Sequence, residues 1–389
     1  MMHVVVIPSW YPSTENGTDG MFFRNQAQAL QRQGLKVGVI APMFRYLRSA
    51  PKSILTGPYG IKRHQQGGLN TYIYDSMYFF PHCPVIDLDR IRWVNAGLKA
   101  FDLYIQENGK PDIVHAHAMN YAGILADHIQ QKYGIPYVIT EHSSMFARNL
   151  IRPNQWPSMH HAAQHASARF AVSRDFCTLL KQKYQGLDWD YLPNILGLNF
   201  SNNFEFPDKS QQDFTFCSVA FLRQLKGFDL LLPAFAKALQ KYPHLKLKIG
   251  GDGPEAHKLR ELATQLNLNH AVTFLGDLDT QHVLNLMRQS DAFVLASRVE
   301  TFGVVFIEAL SQGLPVIATR SGGPQSIVNE HNGLLVPTEN IDALADALIQ
   351  LYENRQSYSS AQLRQNCLDE FSEQAVMQRL IATFEKIIA

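Results

Sequence analysis

The sequence predicts an α/β protein of two domains, each built on an open and mostly parallel β-sheet. Three observations support this prediction. The chain has 389 residues, which is about the length of two ordinary domains. Short apolar runs alternate with longer amphipathic stretches, as they do in parallel βαβ units. This alternation stops in a polar segment at about residues 187–213 and then resumes, which indicates a domain linker.

The composition excludes several classes of protein. Hydrophobic residues make up 46% of the chain and charged residues 18%, which is the balance of a globular protein rather than a disordered one. The 35 Lys and Arg residues nearly cancel the 34 Asp and Glu residues. No overall field would attract nucleic acid, so we expect no nucleic-acid partner.

Several features of the sequence predict a cytoplasmic protein. The four cysteines, Cys83, Cys177, Cys217 and Cys367, stand far apart and form neither a disulfide framework nor a zinc motif, which fits a reducing compartment. The first residues lead straight into an apolar run at residues 4–7, without the charged region of a signal peptide. No apolar run reaches the roughly 18 residues that a transmembrane helix needs.

The first half of the chain predicts a sheet covered by helices on both sides, because its strands are apolar on both faces. The predicted strands are residues 3–7, 36–40, 112–115, 136–140 and 170–173, of which we expect the last to end the sheet. Apolar residues at helical spacing predict helices at 22–33 and 124–133. A polar loop, residues 9–20, separates the first strand from the first helix.

The second half repeats this pattern and predicts a second open sheet. Its strands are residues 214–219, 245–249, 272–275, 292–296 and 315–319, and its helices are 229–241, a helix near 304–312 and a terminal helix at 371–389. We therefore assign residues 1–190 to the first domain and 206–370 to the second. Ligands of such sheets bind beyond the carboxyl ends of the strands, so the loops there hold the candidate site.

One loop and the helix after it carry two glutamates that suit a sugar nucleotide. Glu300 lies in the loop after strand 292–296, and a helix begins near Gly303. Around Glu308 that helix is apolar on every side, so this carboxylate needs a partner, for which a vicinal diol is suitable. The helix start offers unsatisfied N–H groups to a diphosphate. The alternative is a core salt bridge at Glu308 and a solvated loop at Glu300.

Two further loops have features that suit a diphosphate. After strand 315–319, the glycine-rich turn 320–325 allows close approach of the backbone, although such turns are commonly structural. After the first strand of the second half, Arg223 and Lys226 supply two cations that can neutralise a leaving diphosphate. Ordinary surface charge is the alternative for both.

The motifs taken together resemble those of the bacterial GT4 glycosyltransferases, which have the GT-B fold and carry two glutamates separated by seven residues. Here the two glutamates are Glu300 and Glu308. The resemblance covers nearly the whole chain, and its other matching segments are residues 9–12, 20–23, 111–117, 140–143, 171–173, 192–194, 225–227, 251–254 and 332–333. Each segment is weak evidence alone, whereas their order and spacing together are specific.

The resemblance implies a fold and an activity. The fold is two Rossmann-like α/β/α domains that face a central cleft, with helix 371–389 crossing back to the first domain. The activity is transfer of a sugar from a nucleotide-diphosphate sugar to a hydroxyl of a glycan or lipid-linked acceptor, with retention of configuration. It needs no metal ion and no cofactor. A UDP-sugar is the favoured donor and GDP-mannose the second candidate, and the products belong to polysaccharide biosynthesis of the cell envelope.

The resemblance also implies roles for individual residues. His142 lies near the donor sugar at the reaction centre, and Glu300 contacts that sugar. Glu308 binds the ribose, and Lys226 neutralises the diphosphate. The remaining donor-binding residues are Gly20 in the N-terminal loop, Arg223, Gly276 and Asp277 near the nucleobase, and Thr301, Phe302, Gly303, Val304 and Val305 at the helix start.

The sequence departs from the family at the phosphate site. Phe221 stands where the family has an arginine, and Arg223 compensates if the two side chains share a face, as alternate strand residues do. A non-hydrolysing sugar-nucleotide epimerase and a non-catalytic sugar-nucleotide-binding protein of the same fold remain alternatives. A nicotinamide dehydrogenase is excluded, because the first loop lacks Gly-x-Gly-x-x-Gly.

Other features carry less information. His115 and His117 alternate on a strand end, but two ligands do not make a metal site. His160, His161 and His165 lie on a predicted helix, where we expect surface or capping residues. The segment 44–63 mixes aromatic and basic residues. It is either an acceptor loop, which we favour, or a peripheral contact with the cytoplasmic face of the inner membrane.

Overall fold

The computed structural model describes residues 1–12, 20–45, 57, 59–78, 87–202, 205–206 and 213–389. The chain forms two compact units. The first comprises Met1–Val172, Cys177–Leu192 and Val376–Ala389, and the second comprises Ser173–Phe176 and Pro193–Ala375. Each unit is an α/β domain with its own sheet, as the sequence predicts.

The first unit is built on an eight-stranded sheet. Its strands are β1 (His3–Pro8), β2 (Lys36–Arg45), β3 (Gly60–Gln66), β4 (Leu69–Met77), β5 (Ile113–His117), β6 (Tyr137–Glu141), β7 (Ala168–Ala171) and β8 (Asp190–Tyr191). They are arranged in the order β3-β4-β2-β1-β5-β6-β7-β8. All neighbours are parallel except β3 and β4, which form an antiparallel hairpin.

Helices join these strands in the manner expected of parallel pairs. They are α1 (Met21–Arg32), α2 (Leu88–Asn108), α3 (Ile124–Tyr133), α4 (Trp156–His165) and α5 (Arg174–Lys183). The central strands β1 and β5 are buried along their whole length, because layers of helices cover both faces of the sheet. The strand order reverses between β1 and β5, so the loops after these two strands lie at a topological switch point.

The first sheet has three strands that the sequence analysis did not predict. Strand 170–173 was expected to be the last, which is wrong, because β8 pairs with β7 at the edge. β8 has only two residues, too few for any periodic pattern. β3 and β4 form an edge hairpin in which β3 is largely exposed, so no apolar run marks it.

The described part of the aromatic and basic segment 44–63 includes three cations, and all three are already paired. Arg45 and Lys62 both pair with Oδ2 of Asp75, from which Nζ of Lys62 lies 2.5 Å. Nε of Arg63 lies 3.0 Å from both carboxylate oxygens of Glu107. Residues 46–56 and 58 of the segment lie outside the described residues. None of the described helices combines the length and the apolar character that crossing a bilayer requires.

The second unit is built on a six-stranded sheet in which all neighbours are parallel. Its strands are β9 (Phe214–Val219), β10 (Leu245–Gly250), β11 (Val272–Gly276), β12 (Ala292–Leu295), β13 (Val316–Thr319) and β14 (Gly333–Val336). Their order is β11-β10-β9-β12-β13-β14, so it reverses between β9 and β12. The sequence analysis did not predict β14, which is only four residues long.

The helices of the second unit precede or follow these strands. They are α6 (Leu198–Ser201), α7 (Phe228–Lys241), α8 (Ala256–Gln265), α9 (Thr280–Arg288), α10 (Val304–Ser311), α11 (Ile341–Glu353) and α12 (Ser360–Phe371). The helix predicted near 304–312 is α10. It begins directly after Gly303 and carries Glu308 in its second turn.

The terminal helix, α13 (Glu373–Ile388), returns to the first unit. It starts two residues later than predicted, because Ser372 is extended (φ −60°, ψ 154°) and separates it from α12. The side chains of Val376, Met377, Leu380 and Phe384 are fully buried. The ring centroid of Phe384 lies 5.7 Å from that of His115 on β5. The crossing of this helix to the first domain is therefore confirmed.

Arg364 of α12 connects the chain before β9 to the helix that carries Glu308. Its guanidinium is buried and donates to the backbone carbonyls of Phe200 (3.2 Å), Ser201 (2.8 Å) and Asn202 (2.9 Å). It also donates to the carbonyl of Ser311, the last residue of α10. One planar group with five N–H donors can satisfy several carbonyls at once, which an ammonium cannot do.

We expect Arg364→Lys to lower the free energy of unfolding of the second unit by about 2–3 kcal/mol, because buried carbonyls lose their donors. Hydrogen exchange of peptides from the second unit along a urea titration measures this. Arg355→Lys is the matched control, because Arg355 is exposed and donates one side-chain hydrogen bond, 2.8 Å long, to the carbonyl of Tyr352. Equal losses in the two variants would contradict the role of Arg364.

Candidate functional site

The loops after β9 and β12 lie side by side where the strand order of the second sheet reverses. Lys226 comes from the first loop and Glu300 from the second. Nζ of Lys226 lies 2.6 Å from Oε2 of Glu300, and the side chains are 27% and 14% exposed. The structure therefore brings together, as a partly buried ion pair, two predicted site residues that are 74 positions apart in the chain.

Gly227 explains how the turn that carries Lys226 comes so close to β12. Its φ is 68°, and a Cβ atom at this position would lie 1.9 Å from the carbonyl oxygen of Ala296. The N–H of Arg298 also donates to the carbonyl of Leu225 at 2.8 Å. Only glycine allows this approach of the two loops.

Arg298 supports these loops rather than offering its charge to a ligand. Its Nη1 and Nη2 each lie 2.8 Å from an oxygen of Asp229, and its Nε pairs with Glu339. These two carboxylates raise the pKa of the guanidinium above its ordinary value. The charge is therefore already balanced, which leaves Lys226 and Arg223 as the cations of the predicted site.

Glu308 is an acidic group whose carboxylate has no partner among the described residues. It lies on α10, which begins after Gly303 in a left-handed conformation (φ 95°). Within the part of the chain that the structure describes, its carboxylate makes no hydrogen bond or ion pair. Burial raises the pKa of this carboxyl to about 7. The core salt bridge considered as the alternative is therefore absent from the described residues, and the group is available to a ligand.

The glycine-rich turn after β13 contacts the loop of Glu300. The N–H of Glu300 donates to the carbonyl of Ser321 at 3.0 Å, and the N–H of Gly323 donates to the carbonyl of Glu300 at 2.7 Å. A Cβ atom on Gly323 would lie 2.4 Å from the backbone of Phe302. The turn therefore lies beside the loop of Glu300. Packing alone accounts for Gly323, as the structural interpretation of this turn predicts.

Arg223 and Phe221 do share a face. The guanidinium carbon of Arg223 lies 4.5 Å from the ring centroid of Phe221, and both side chains are exposed. The reason is not strand alternation, because β9 ends at Val219. Arg223 instead precedes a short 3₁₀ turn, Gln224–Lys226. The charge of Arg223 therefore belongs to the same loop as Lys226.

Gly276 is the last residue of β11, an edge strand of the second sheet, and Asp277 follows it directly. Gly276 has a φ of 72°, and its carbonyl accepts a 2.7 Å hydrogen bond from the N–H of Gly251, which follows β10. Asp277 is exposed. Both residues lie at the carboxyl end of β11, in the loop that the sequence analysis assigned to the nucleobase, and this role stays a prediction.

In the first unit, Glu141 holds the loops after β5 and β6 together. Its buried carboxylate accepts hydrogen bonds from the backbone N–H groups of Met119 (2.7 Å), His142 (2.9 Å) and Ser143 (2.8 Å). Burial raises the pKa of the Glu141 carboxyl to about 7, and the three hydrogen bonds oppose this shift. This arrangement fixes the backbone on both sides of His142.

His142 contacts a second histidine that the sequence analysis considered only as a metal ligand. Its Nε2 lies 3.1 Å from Nδ1 of His117, the last residue of β5. Burial, together with His115 and His142, holds the pKa of His117 well below the usual value, so this ring is neutral. A histidine at the end of β5 and another directly after β6 were the signal for this contact, because β5 and β6 are adjacent parallel strands.

Aromatic rings connect His142 to Gly20. The centroids of Phe22 and Phe23, in the first turn of α1, lie 5.2 and 5.1 Å from that of His142. Gly20 precedes this helix with a φ of 74°, and a Cβ atom there would lie 2.9 Å from the carbonyl oxygen of Trp10. The predicted site residues thus form two sets, with Gly20 and His142 in the first unit and the others in the second.

Two family sequence models match the chain over most of its length. The one described as "Glycosyltransferase Family 4" matches residues 20–194, and the one described as "Glycosyl transferases group 1" matches residues 199–367. A curated relative, the putative teichuronic acid biosynthesis glycosyltransferase TuaC of Bacillus subtilis (strain 168), is 30% identical over 379 residues. The alignment covers 91% of this chain and 90% of the relative.

Solved structures show the same architecture. Sucrose-phosphate synthase from Thermosynechococcus elongatus superposes with a TM-score of 0.76 at 18% identity, covering 99% of each chain. Anabaena Alr3699/HepE in complex with UDP and glucose superposes with a TM-score of 0.72 at 19% identity, covering 99% of this chain and all of that one. At these identities the likeness establishes the fold. With its matched sequence models and its full-length relative, this chain belongs to the GT4-type glycosyltransferases and has the GT-B architecture.

Proposed function

We propose that this glycosyltransferase moves a sugar from a UDP-sugar to a hydroxyl group of a glycan or lipid-linked acceptor, with retention of configuration and without a metal ion. The observation that carries the proposal is the carboxylate of Glu308, which has no partner among the described residues and lies on the helix that follows the loop of the Lys226–Glu300 ion pair. One structural neighbour is named in complex with UDP and glucose, which supports a uridine donor. The name of the full-length relative, which refers to teichuronic acid biosynthesis, supports a biosynthetic role for the transfer.

Glu308 has the properties required of the ribose contact. Glu308 is half-buried, and a partly desolvated carboxylate that has no partner among the described residues carries an energetic cost that two hydroxyl donors of a ribose relieve. The backbone N–H groups from Gly303 to Val305 lie at the N-terminus of α10. There the positive end of the helix dipole favours the binding of a diphosphate. Both features belong to one helix, so one rigid element would hold two parts of the donor.

Lys226 and Glu300 neutralise each other in the protein alone, at 2.6 Å. In the donor complex, the ammonium would interact with the diphosphate and the carboxylate with hydroxyls of the sugar. As the bond between the anomeric carbon and the diphosphate breaks, negative charge grows on the leaving group, where a positioned cation is most effective. The pair is partly buried, which strengthens its field relative to a pair in water.

His142 is assigned to the reaction centre through its family position, and the first unit gives it a fixed setting. The neutral His117 ring at 3.1 Å, the backbone contacts with Glu141 and the rings of Phe22 and Phe23 restrict its orientation. A group that must meet a sugar in one geometry benefits from such restriction. His117 is therefore a positioning residue in this proposal.

The proposed activity is tested by incubating the purified protein with UDP-sugars and GDP-mannose, with and without a panel of glycan and lipid-linked acceptors. We expect UDP release that depends on acceptor, and a product with the anomeric configuration of the donor by NMR. Faster turnover of GDP-mannose would contradict the uridine assignment. An altered nucleotide sugar formed without acceptor would indicate an epimerase, and binding without turnover would indicate a non-catalytic protein.

We expect Glu308→Gln to weaken the binding of UDP by about ten- to a hundredfold, because a hydrogen bond to a charged group contributes about 1.5–3 kcal/mol. Isothermal titration calorimetry measures the affinity. Glu261→Gln is the matched control, since Glu261 lies exposed on α8, and its affinity should equal that of the unmodified protein. An unchanged affinity in Glu308→Gln would remove the ribose role.

We expect the difference in UDP affinity between the unmodified protein and Glu308→Gln to depend on pH. Burial raises the pKa of Glu308 to about 7, and ribose hydroxyls favour the charged carboxylate, so bound nucleotide lowers this pKa. By linkage, the advantage of the unmodified protein over Glu308→Gln should grow as the pH rises from about 6 to 8. Titration of the diphosphate itself affects both proteins equally and cancels in the comparison. A constant ratio of affinities over this range would contradict the assignment.

We expect Lys226→Gln to lower kcat/KM by about 10²–10³-fold, the range seen when one donor to a developing negative charge is removed. The measurement uses the donor and acceptor identified by the first assay. Lys237→Gln is the matched control, because Lys237 is exposed on α7 and pairs with Asp342, and its kcat/KM should not change. Equal effects of the two substitutions would exclude a specific role for Lys226.

A further inference from the structure

The first unit contains a cluster of metal-ligating side chains that the proposed transfer reaction does not use. Asp127 lies in the first turn of α3, and His161 and His165 lie on α4. The two histidines are four positions apart, so they occupy the same face of the helix, one turn from each other. The carboxylate is 5% exposed, whereas the histidine side chains are 50% and 51% exposed.

The distances within this cluster are close to those of a metal site. Nδ1 of His161 lies 2.9 Å from Oδ2 of Asp127, and Nδ1 of His165 lies 3.9 Å from Oδ1. One ligand atom from each of the three residues lies within 4.8 Å of the others. Ligand bonds to Zn²⁺ of about 2.0–2.2 Å in a tetrahedron place ligand atoms about 3.4 Å apart. Modest rotations of the exposed imidazole rings are enough to reach this spacing.

The partners of Asp127 hold the carboxylate in place. Nε2 of Gln131 donates to Oδ2 at 2.8 Å, and the hydroxyl of Tyr137 on β6 lies 3.3 Å from Oδ1. Ligating carboxylates are usually oriented by such hydrogen bonds from a surrounding layer of groups. The least mobile ligand is thus the buried one, and the two mobile ligands face solvent.

An ordinary ion pair explains only part of this arrangement. It accounts for His161, which is in hydrogen-bond range of Asp127, whereas His165 lies 3.9 Å from the carboxylate, near the outer limit of an ion pair. Nδ1 of His165 lies 2.8 Å from the carbonyl oxygen of His161, which agrees with the predicted capping role. The ring centroids of the two histidines lie 4.2 Å apart. Two imidazoles and one carboxylate gathered at this spacing form a suitable donor set for a divalent transition metal.

We propose that Asp127, His161 and His165 bind one divalent transition metal ion of the Zn²⁺ type, which connects α3 to α4. Three protein ligands leave a fourth position for water, and the half-exposed histidines allow solvent to reach it. The ion stabilises the first unit and takes no part in sugar transfer. The inference is therefore independent of the function proposed above.

The test is calorimetric titration of the full chain, without a polyhistidine tag and after treatment with a chelator, with ZnCl₂. We expect one Zn²⁺ bound per chain and a rise of roughly 2–4 °C in the Tm of the first unit at saturation. The double variant His161→Ala/His165→Ala should lose both the bound ion and the rise in Tm. Co²⁺ should show the absorption of a four-coordinate site in the unmodified protein and not in the double variant.

Two comparisons keep the outcome interpretable. Gln164→Ala changes an exposed residue between the two histidines on α4 and should bind Zn²⁺ like the unmodified protein. Asp127→Asn removes the charge and should weaken binding. The near-UV circular dichroism spectrum of the metal-free double variant should match that of the metal-free unmodified protein, which shows that the chain is folded. Absence of Zn²⁺ binding in the unmodified protein, or full binding in the double variant, would overturn the proposal.

Discussion

The second unit depends on one constraint, which is that β9 and β12 are neighbours in the sheet. The chain first forms β9, β10 and β11, and it then continues with β12 on the other side of β9. The carboxyl ends of these two strands therefore open next to each other, and no crossover helix covers the space between their loops. Gly227 allows the first loop to reach the carbonyl of Ala296, and Lys226 then meets Glu300. The charge pair follows from sheet topology and one residue without a side chain.

The site combines groups that are satisfied within the protein with one that is not. Arg298 and Glu141 each have a full set of partners and hold loops in position. Glu308 has no partner among the residues described and carries a pKa raised to about 7 by burial. Below pH 4.5, the ordinary pKa of the group, the Glu308 carboxyl contributes fully to the free energy of unfolding. This contribution is lost as the pH rises through about 7, because the folded protein then holds a charged carboxylate away from water. A ligand that pairs with the carboxylate recovers this loss.

The two units use the same topological device for different chemistry. In both sheets the strand order reverses next to the first strand of the unit. In the second unit Lys226 and Glu300 follow the strands at that point, whereas in the first unit Gly20 follows β1 there and His142 follows β6, one strand beyond β5. The second unit combines a cation with carboxylates, which suits a ligand that carries both phosphate and hydroxyl groups. The first unit has buried histidines, of which the His117 ring is neutral, and aromatic rings, so it offers orientation rather than charge.

The sequence by itself determined the long buried strands, the helices between them and the family, since apolar periodicity and motif order are local properties of the chain. It did not reveal β8, which is too short for a pattern, or β14, or the edge hairpin of β3 and β4. It identified Glu308, but only the folded chain showed that no described side chain pairs with it. The contact of His117 with His142 and the joining of Asp127 to the histidines of α4 were likewise decided by tertiary structure. These pairs lie 25 or more positions apart, and only the packing of strands and helices can bring such distant residues into contact.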